Sequence, residues 1–526
     1  MRFSTDFLLP MAASAAVVVG AATTTATSMP SVTLDYSTIV ATAGSESIGY
    51  YKYQNIRYAA VPTGDLRFAK PQWPPVETIV NNGTLAPENV DCATYEDCLY
   101  LDVWAPANSA NKSLPVVVWS HGGRFVIGSK SAVTPEALFA LSKEFIFVAY
   151  NYRLGMTGLA NGPTLNHQGG TSNALVWDSA HAFDWVKRYI SHWGGNPEEI
   201  VAVGFSAGAS QDLFQITKFA GRAEQTFARA YIMSPGLVPG AGNQHSEALW
   251  QNVSTSVGCA GGSLTCMRSV DFATLSTAAN NMVAKYTYQF QPRVDGDFIA
   301  ETYESQFYQK RFNFTGPLVI THELHEINQR LPSGVNSSSD IGPHLKLYFP
   351  SITDDIISEI EDLYPSADYQ SEGLRFADID QDFELVAHNY ALTEALNNQT
   401  WNAMVALGVA SHGMDQNYYW YSNFTLVQTN ATTANTTTTT TAAGAGIVTT
   451  RDIDFSVALK MQKYLVSFIL TGNPNTMWPE DKLYWPLHGG NSSSPGRELV
   501  FNDTMYIQDD ILANERSLFW NKALWH

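Results

Sequence analysis

Residues 200–215 read IVAVGFSAGASQDLFQ, an apolar strand running into Gly204, Phe205, Ser206, Ala207 and Gly208 and then into a helix. A serine with a glycine two positions away on either side, set between strand and helix, is the pattern of a nucleophile elbow, G-x-S-x-G. The turn is tight enough to leave no room for Cβ atoms at the glycine positions, and it strains the serine into an exposed position. The helix that follows brings its positive end and its free amides toward charge developing at that serine.

Outward from this stretch, short wholly apolar runs at 115–119, 145–151 and 200–203 alternate with helical stretches such as 173–190. Continuous apolar strands between helices imply a sheet buried on both faces, hence an α/β fold with a large, mostly parallel central sheet. Ahead of it, residues 50–71 and 99–106 alternate β-formers with turn residues and read as an antiparallel meander. No fixed-period repeat and no Pro/Gly-rich linker divides the chain, so residues 27–526 read as one domain. A helix is expected over 454–471, stopped by Gly472 and Pro474. Residues 428–450, with six consecutive threonines from Thr436 to Thr441, cannot pack a core and read as a surface loop.

The chain has 526 residues, 45% of them hydrophobic and 15% charged, a balance suited to a large core and not to a disordered scaffold. Its 30 lysines and arginines against 49 acidic residues give a net charge of -19, which opposes nucleic acid and anionic membrane surfaces. Residues 1–26 read as a secretory signal: Arg2, an apolar run over 7–19 too short to span a bilayer, then small residues to Ala26. Eleven N-x-S/T sequons, among them Asn82, Asn252 and Asn313, agree with export and glycosylation. The four cysteines fall in two close pairs, Cys92 with Cys98 and Cys259 with Cys266, which suits two local disulfides, other pairings remaining open. A secreted, extracellular protein is expected.

A second glycine-bearing turn follows the strand at 115–119, in Ser120, His121, Gly122, Gly123, Arg124 and Phe125. Glycines here let backbone N–H groups approach a substrate oxygen closely, as an oxyanion hole requires. His322 and His325, in HELHE, invite a metal reading, but zincin histidines stand four apart on one helical face and these stand three apart. No metal site is assigned.

At this point the chain resembles the type-B carboxylesterase and lipase family of α/β-hydrolases, which includes cholinesterases and secreted fungal esterases. The resemblance runs nearly end to end: IRYAAVPTGDLRF at 56–68, EDCLYLDVWAP at 96–106, NYRLG at 151–155, WGGNP at 193–197, PRVDGDF at 292–298 and TGNPN at 471–475. It implies an α/β-hydrolase fold, no cofactor, and a catalytic triad in the chain order Ser206, Glu326, His412. Glu326 falls in THELHEI after the strand-like PLVI, and His412 in SHGMDQNYYWY. The oxyanion hole would be the N–H groups of Gly123, Arg124 and Ala207.

Three positions depart from the family pattern. Phe205 stands where glutamate is common and Ile327 where glycine is common, and both argue against a cholinesterase-like site for cationic substrates. Arg124 replaces the third glycine of the oxyanion loop, keeping a backbone N–H but adding a long cationic side chain, for which two roles stay open: crowding the gorge or binding a carboxylate. The expected partner is a small-molecule ester of uncharged, fairly apolar parts, cleaved through an acyl-enzyme on Ser206. Two other readings are a binding or adhesion relative that has lost the chemistry, and a biosynthetic catalyst of acyl transfer on the same fold. No residue decides the oligomeric state.

Overall fold

The apolar runs assemble into an eleven-stranded mixed sheet in the computed structural model, which describes residues 29–238, 242–286, 289–422, 425–426, 435–436, 453–491 and 493–522. In chain order the strands are β1 (Ala43–Ser45), β2 (Tyr50–Arg57), β3 (Tyr100–Pro106), β4 (Leu114–Ser120), β5 (Ile146–Tyr150), β6 (Gly195–Phe205), β7 (Arg229–Met233), β8 (Leu318–Glu323), β9 (Trp401–Val405), β10 (Arg497–Phe501) and β11 (Tyr506–Asp509). Their order across the sheet is β11-β10-β9-β8-β7-β6-β4-β5-β3-β2-β1. Every neighbouring pair from β5 to β10 is parallel. β1, β2 and β3 form the antiparallel opening that joins β5. Of the stretch 50–71 only Tyr50–Arg57 is strand, and beyond it the chain turns at Gly64–Leu66. The antiparallel edge made by β11 on β10 had no counterpart in the sequence reading.

Side-chain alternation explains why these strands are apolar at every position. Val116, Val118, Ile200, Ala202, Ile232 and Ile320 enter one core, and Val117, Trp119, Val201, Val203, Tyr231 and Val319 enter a second, so successive residues feed opposite faces. The helix Ala174–Tyr189 covers the first face with Leu175, Phe183, Trp185 and Val186. The helix Phe455–Thr471 covers the second with Met461, Tyr464, Leu465 and Phe468. Its ends are set as the sequence predicts: the Asp454 carboxylate accepts the N–H groups of Ser456 and Val457, and Gly472 closes it at φ +73°.

A third core belongs to a helical layer built from Ile341–Tyr348, Asp354–Leu363, Glu372–Gln381 and Glu515–Asn521, centred on Ile341, Ile360, Phe376, Phe383 and Trp520. It ends in a wide π-helical turn, Asp382–Val386, which supplies one wall of the cavity described below. Disulfides join Cys92 to Cys98 and Cys259 to Cys266, so the local pairing holds. Among the described residues no helix is long and apolar enough to cross a membrane. The signal segment 1–26 lies outside the described residues, as does nearly all of the threonine-rich segment 428–450.

Candidate active site

Ser206 sits between β6 and the helix Ala207–Gly221, with φ +55° and ψ -125°. This is a conformation that an L residue adopts only when its surroundings impose it. The surroundings are close backbone. A Cβ on Gly204 would stand 2.4 Å from Asp212 Oδ2, and one on Gly208 would stand 2.0 Å from the Ser120 carbonyl oxygen. The Ser206 N–H donates to Met233 O at 2.9 Å, and its carbonyl accepts from Ser210 N at 3.0 Å. The elbow is therefore held between β4 and β7, its two sides in the sheet and helix.

Glu326 and His412 arrive on the loops after β8 and β9, at the carboxyl ends of parallel strands. Backbone bonds clamp these loops together: Leu324 N donates to Val405 O, His325 N to Ala410 O, and His412 N to Glu326 O, at 2.9, 2.9 and 3.1 Å. The result is a continuous hydrogen-bonded line. His412 Nε2 lies 2.8 Å from Ser206 Oγ, and His412 Nδ1 lies 2.6 Å from Glu326 Oε2. The other carboxylate oxygen, Oε1, accepts the Glu323 N–H at 2.8 Å. Burial would raise the Glu326 carboxyl, but His412 and these hydrogen bonds outweigh it and hold it below its ordinary range.

Two further buried carboxyls surround this acid. Glu323 Oε1 accepts the Asp415 N–H at 2.7 Å, and both side chains are fully buried. Burial, with the neighbouring Asp415 and Glu326 charges, pushes Glu323 well above the usual range, and burial pushes Asp415 up to about 6. Charge is thus concentrated on Glu326, the member of the cluster that faces His412. The sequence reading missed Glu323 and assigned no role to Asp415, although both stand within the quoted motifs.

The glycine-bearing loop expected to form the oxyanion hole follows β4. Gly123 has φ +124°, and a Cβ there would meet Ile127 O at 2.1 Å, so glycine is required. Arg124 adopts φ +55°, the left-handed conformation its backbone needs to keep the loop closed. Among the described residues the N–H groups of Gly123, Arg124 and Ala207 have no protein acceptor, and all three residues adjoin Ser206 or line its cavity. His121 anchors the loop from beneath. Its ring stacks on Tyr152 at 4.3 Å, Tyr152 Oη donates to His121 O at 2.6 Å, and burial pushes the imidazole down to about 4, leaving it neutral.

Phe205 occupies its departure position with its ring 4.9 Å from the His412 ring and inclined by 30°. A Cβ on Gly413 would stand 3.0 Å from Phe205 Cζ, so the glycine after His412 is what admits the ring. His322 lies within β8, its Nε2 3.4 Å from Glu498 Oε2, and His325 lies in the next loop with Nδ1 3.2 Å from Asn328 Oδ1. They share no helical face, and among the described residues no cluster of metal-ligating side chains forms. The cavity over Ser206 has a volume of about 340 Å³. Gln291, Ile327, Arg330, Glu384 and Leu385 also line it. Of these only Ile327 had been singled out by sequence, because the others come from segments without a motif.

Comparison with known proteins agrees with this architecture. A family model described as "Carboxylesterase family" matches residues 30–520. A secreted lipase of Arthroderma benhamiae is 25% identical over 82% of this chain and 83% of its own. A carboxylesterase, patB, of Penicillium expansum is 24% identical over 95% of this chain and 97% of its own. Among solved structures, EstA of Aspergillus niger superposes with a TM-score of 0.77 at 22% identity, covering 94% of this chain and 98% of that one. The last likeness bears on the fold.

Proposed function

From the premise that this chain belongs to the carboxylesterase family and is a carboxylic ester hydrolase, we propose that it works through an acyl-enzyme on Ser206 and is secreted. The observation that supports this most is the unbroken line from Ser206 Oγ through both ring nitrogens of His412 to the buried Glu326 carboxylate.

A neutral serine hydroxyl is a poor nucleophile, and a hydrogen-bonded imidazole makes it a good one by taking its proton as the bond to carbon forms. Ser206 Oγ attacks the ester carbonyl while its proton passes to His412 Nε2. Glu326 stabilises the imidazolium and fixes the tautomer that has Nδ1–H directed at Oε2. The carbonyl oxygen becomes an oxyanion facing the N–H groups of Gly123, Arg124 and Ala207, and each such donor contributes about 3 kcal/mol to the transition state. Collapse breaks the bond to the alcohol, which leaves with the proton from His412. Water then gives a proton to His412 as it attacks the acyl carbon, and collapse of this second intermediate releases the acid while His412 Nε2 returns the proton to Ser206 Oγ.

Secretion is supported by the signal-like residues 1–26, the sequons and the two disulfides, and one relative carries the name secreted lipase. Exposed sequons such as Asn82 would carry glycans.

Labelling of the purified protein with a fluorophosphonate, followed by peptide mass spectrometry, tests the mechanism. The label is expected on Ser206 and absent from Ser206→Ala, and His412→Ala is expected to slow labelling by at least about a thousandfold. Folded wild-type protein that hydrolyses esters without acquiring label on Ser206 would overturn it.

A further inference from the structure

The cavity over Ser206 is more charged than cleavage of an uncharged ester requires. Arg124 carries its guanidinium on the cavity wall, 61% exposed, with one nitrogen 3.6 Å from Glu384 Oε1. That separation is an ion pair longer than a hydrogen bond, so most of the five guanidinium donors remain available. Arg330 lines the same cavity, is exposed, and forms no ion pair among the described residues.

The opposing carboxyls are weakened as anions. Burial raises Glu384 against the pull of Arg124, His412 and Arg330. Asp380, the next acid inward, is raised well above its usual range by burial and by Glu384. Guanidinium groups stay protonated at any working pH. Among the residues lining the cavity, two guanidinium groups, Arg124 and Arg330, therefore face the single Glu384 carboxyl, a local excess of positive charge inside a chain whose net charge is -19.

We propose that this part of the cavity is a carboxylate subsite, so that the preferred substrates are esters bearing a free carboxylate, held by Arg330 together with the unused edge of Arg124. The planar guanidinium matches a carboxylate with two parallel hydrogen bonds, and Arg124 brings that charge to the loop that also binds the oxyanion. The expectation of uncharged, fairly apolar substrates would then be too narrow, and of the two roles left open for the Arg124 side chain, carboxylate binding is the one taken. The inference rests on the ester-hydrolase reading with Ser206 as nucleophile.

The test compares matched substrates on the full-length enzyme. One pair is p-nitrophenyl adipate against its methyl ester, with the carboxylate on the acyl side; the other is 4-acetoxybenzoate against its methyl ester, with it on the alcohol side. In at least one pair, kcat/KM for the free acid is expected to exceed that for the methyl ester by about tenfold. Arg330→Gln should lower this ratio about tenfold, chiefly through KM, and Arg330→Lys should restore part of it. Glu384→Gln, which frees Arg124 from its competitor, should raise the ratio about threefold, a gain that damage to the fold would not produce. Taking ratios also cancels any loss of folded enzyme. A preference for the methyl ester in both pairs, or a ratio unmoved by Arg330→Gln and Glu384→Gln, would overturn the subsite while leaving the esterase reading intact. Failure to turn over any of the four esters, with Ser206 unlabelled by a fluorophosphonate, would overturn both.

Discussion

A glutamine at position 326 would keep one hydrogen bond and reverse another. Its carbonyl oxygen can still accept the Glu323 N–H, now made at 2.8 Å, which leaves the amide nitrogen facing His412 Nδ1. An N–H donor there makes Nδ1 the acceptor and moves the ring proton to Nε2, so the imidazole can no longer accept from Ser206 Oγ. Glu326→Gln is therefore expected to lower kcat about 10⁴-fold with little change in KM, measured by steady-state hydrolysis of a p-nitrophenyl ester. Gly123→Ala acts on a different term. Its Cβ would fall 2.1 Å from Ile127 O at a φ of +124°, so the loop has to move and carry its N–H away from the oxyanion. A loss of about 10² to 10³ in kcat, with the Ser206–His412 pair still labelled by fluorophosphonate at a reduced rate, is the expected outcome.

The joint between β8, β9 and their loops works as one element, because its carboxyls sense each other. Asp415 titrates at about 6 in the folded chain and near its ordinary value of about 3.9 in an unfolded one. Its folded value is raised, so the stability it contributes is fully present below pH 4 and is lost as the pH rises through 6. The amount is about 3 kcal/mol. Asp415→Asn has no such proton to lose and can keep the Gln416 contact through its carbonyl. The melting temperature of the variant minus that of wild type should therefore grow between pH 4 and pH 7, and a constant difference would show that Asp415 does not titrate there. This cluster also marks the limit of what sequence could reveal. Ser206, Glu326 and His412 were legible because each sits in a local pattern: the elbow has its glycines, and the two loops have family motifs. Glu323 and Asp415 stand in those same motifs, but their effect depends on distances across two loops, which no local pattern encodes. Glu384 and Arg330 were illegible for another reason: the π-helical turn carrying one, and the loop carrying the other, have no distinctive residue spacing.

At the scale of the molecule, the alternation of residues along β4 to β8 into two cores made the α/β architecture readable, whereas the edge strand β11 was not, because it is only four residues long and half-exposed. The same scale governs charge. An excess of 19 acidic over basic residues is spread over a folded surface that brings like charges closer than the unfolded chain does, so self-repulsion disfavours the folded state at neutral pH. Salt shortens the reach of that repulsion to about 8 Å at 0.15 M and to about 3 Å at 1 M, while buried pairs such as Arg153 with Asp178, at 2.7 Å, are shielded from it. Raising NaCl from 0.02 to 0.5 M at pH 8 is expected to raise the melting temperature by about 2 °C. Near pH 5, where protonation of carboxyls brings the net charge toward zero, the same addition should have almost no effect. Thermal melts at both pH values distinguish this from a general salting-out contribution, which would raise the melting temperature equally at each, since exclusion of salt from apolar surface does not depend on net charge.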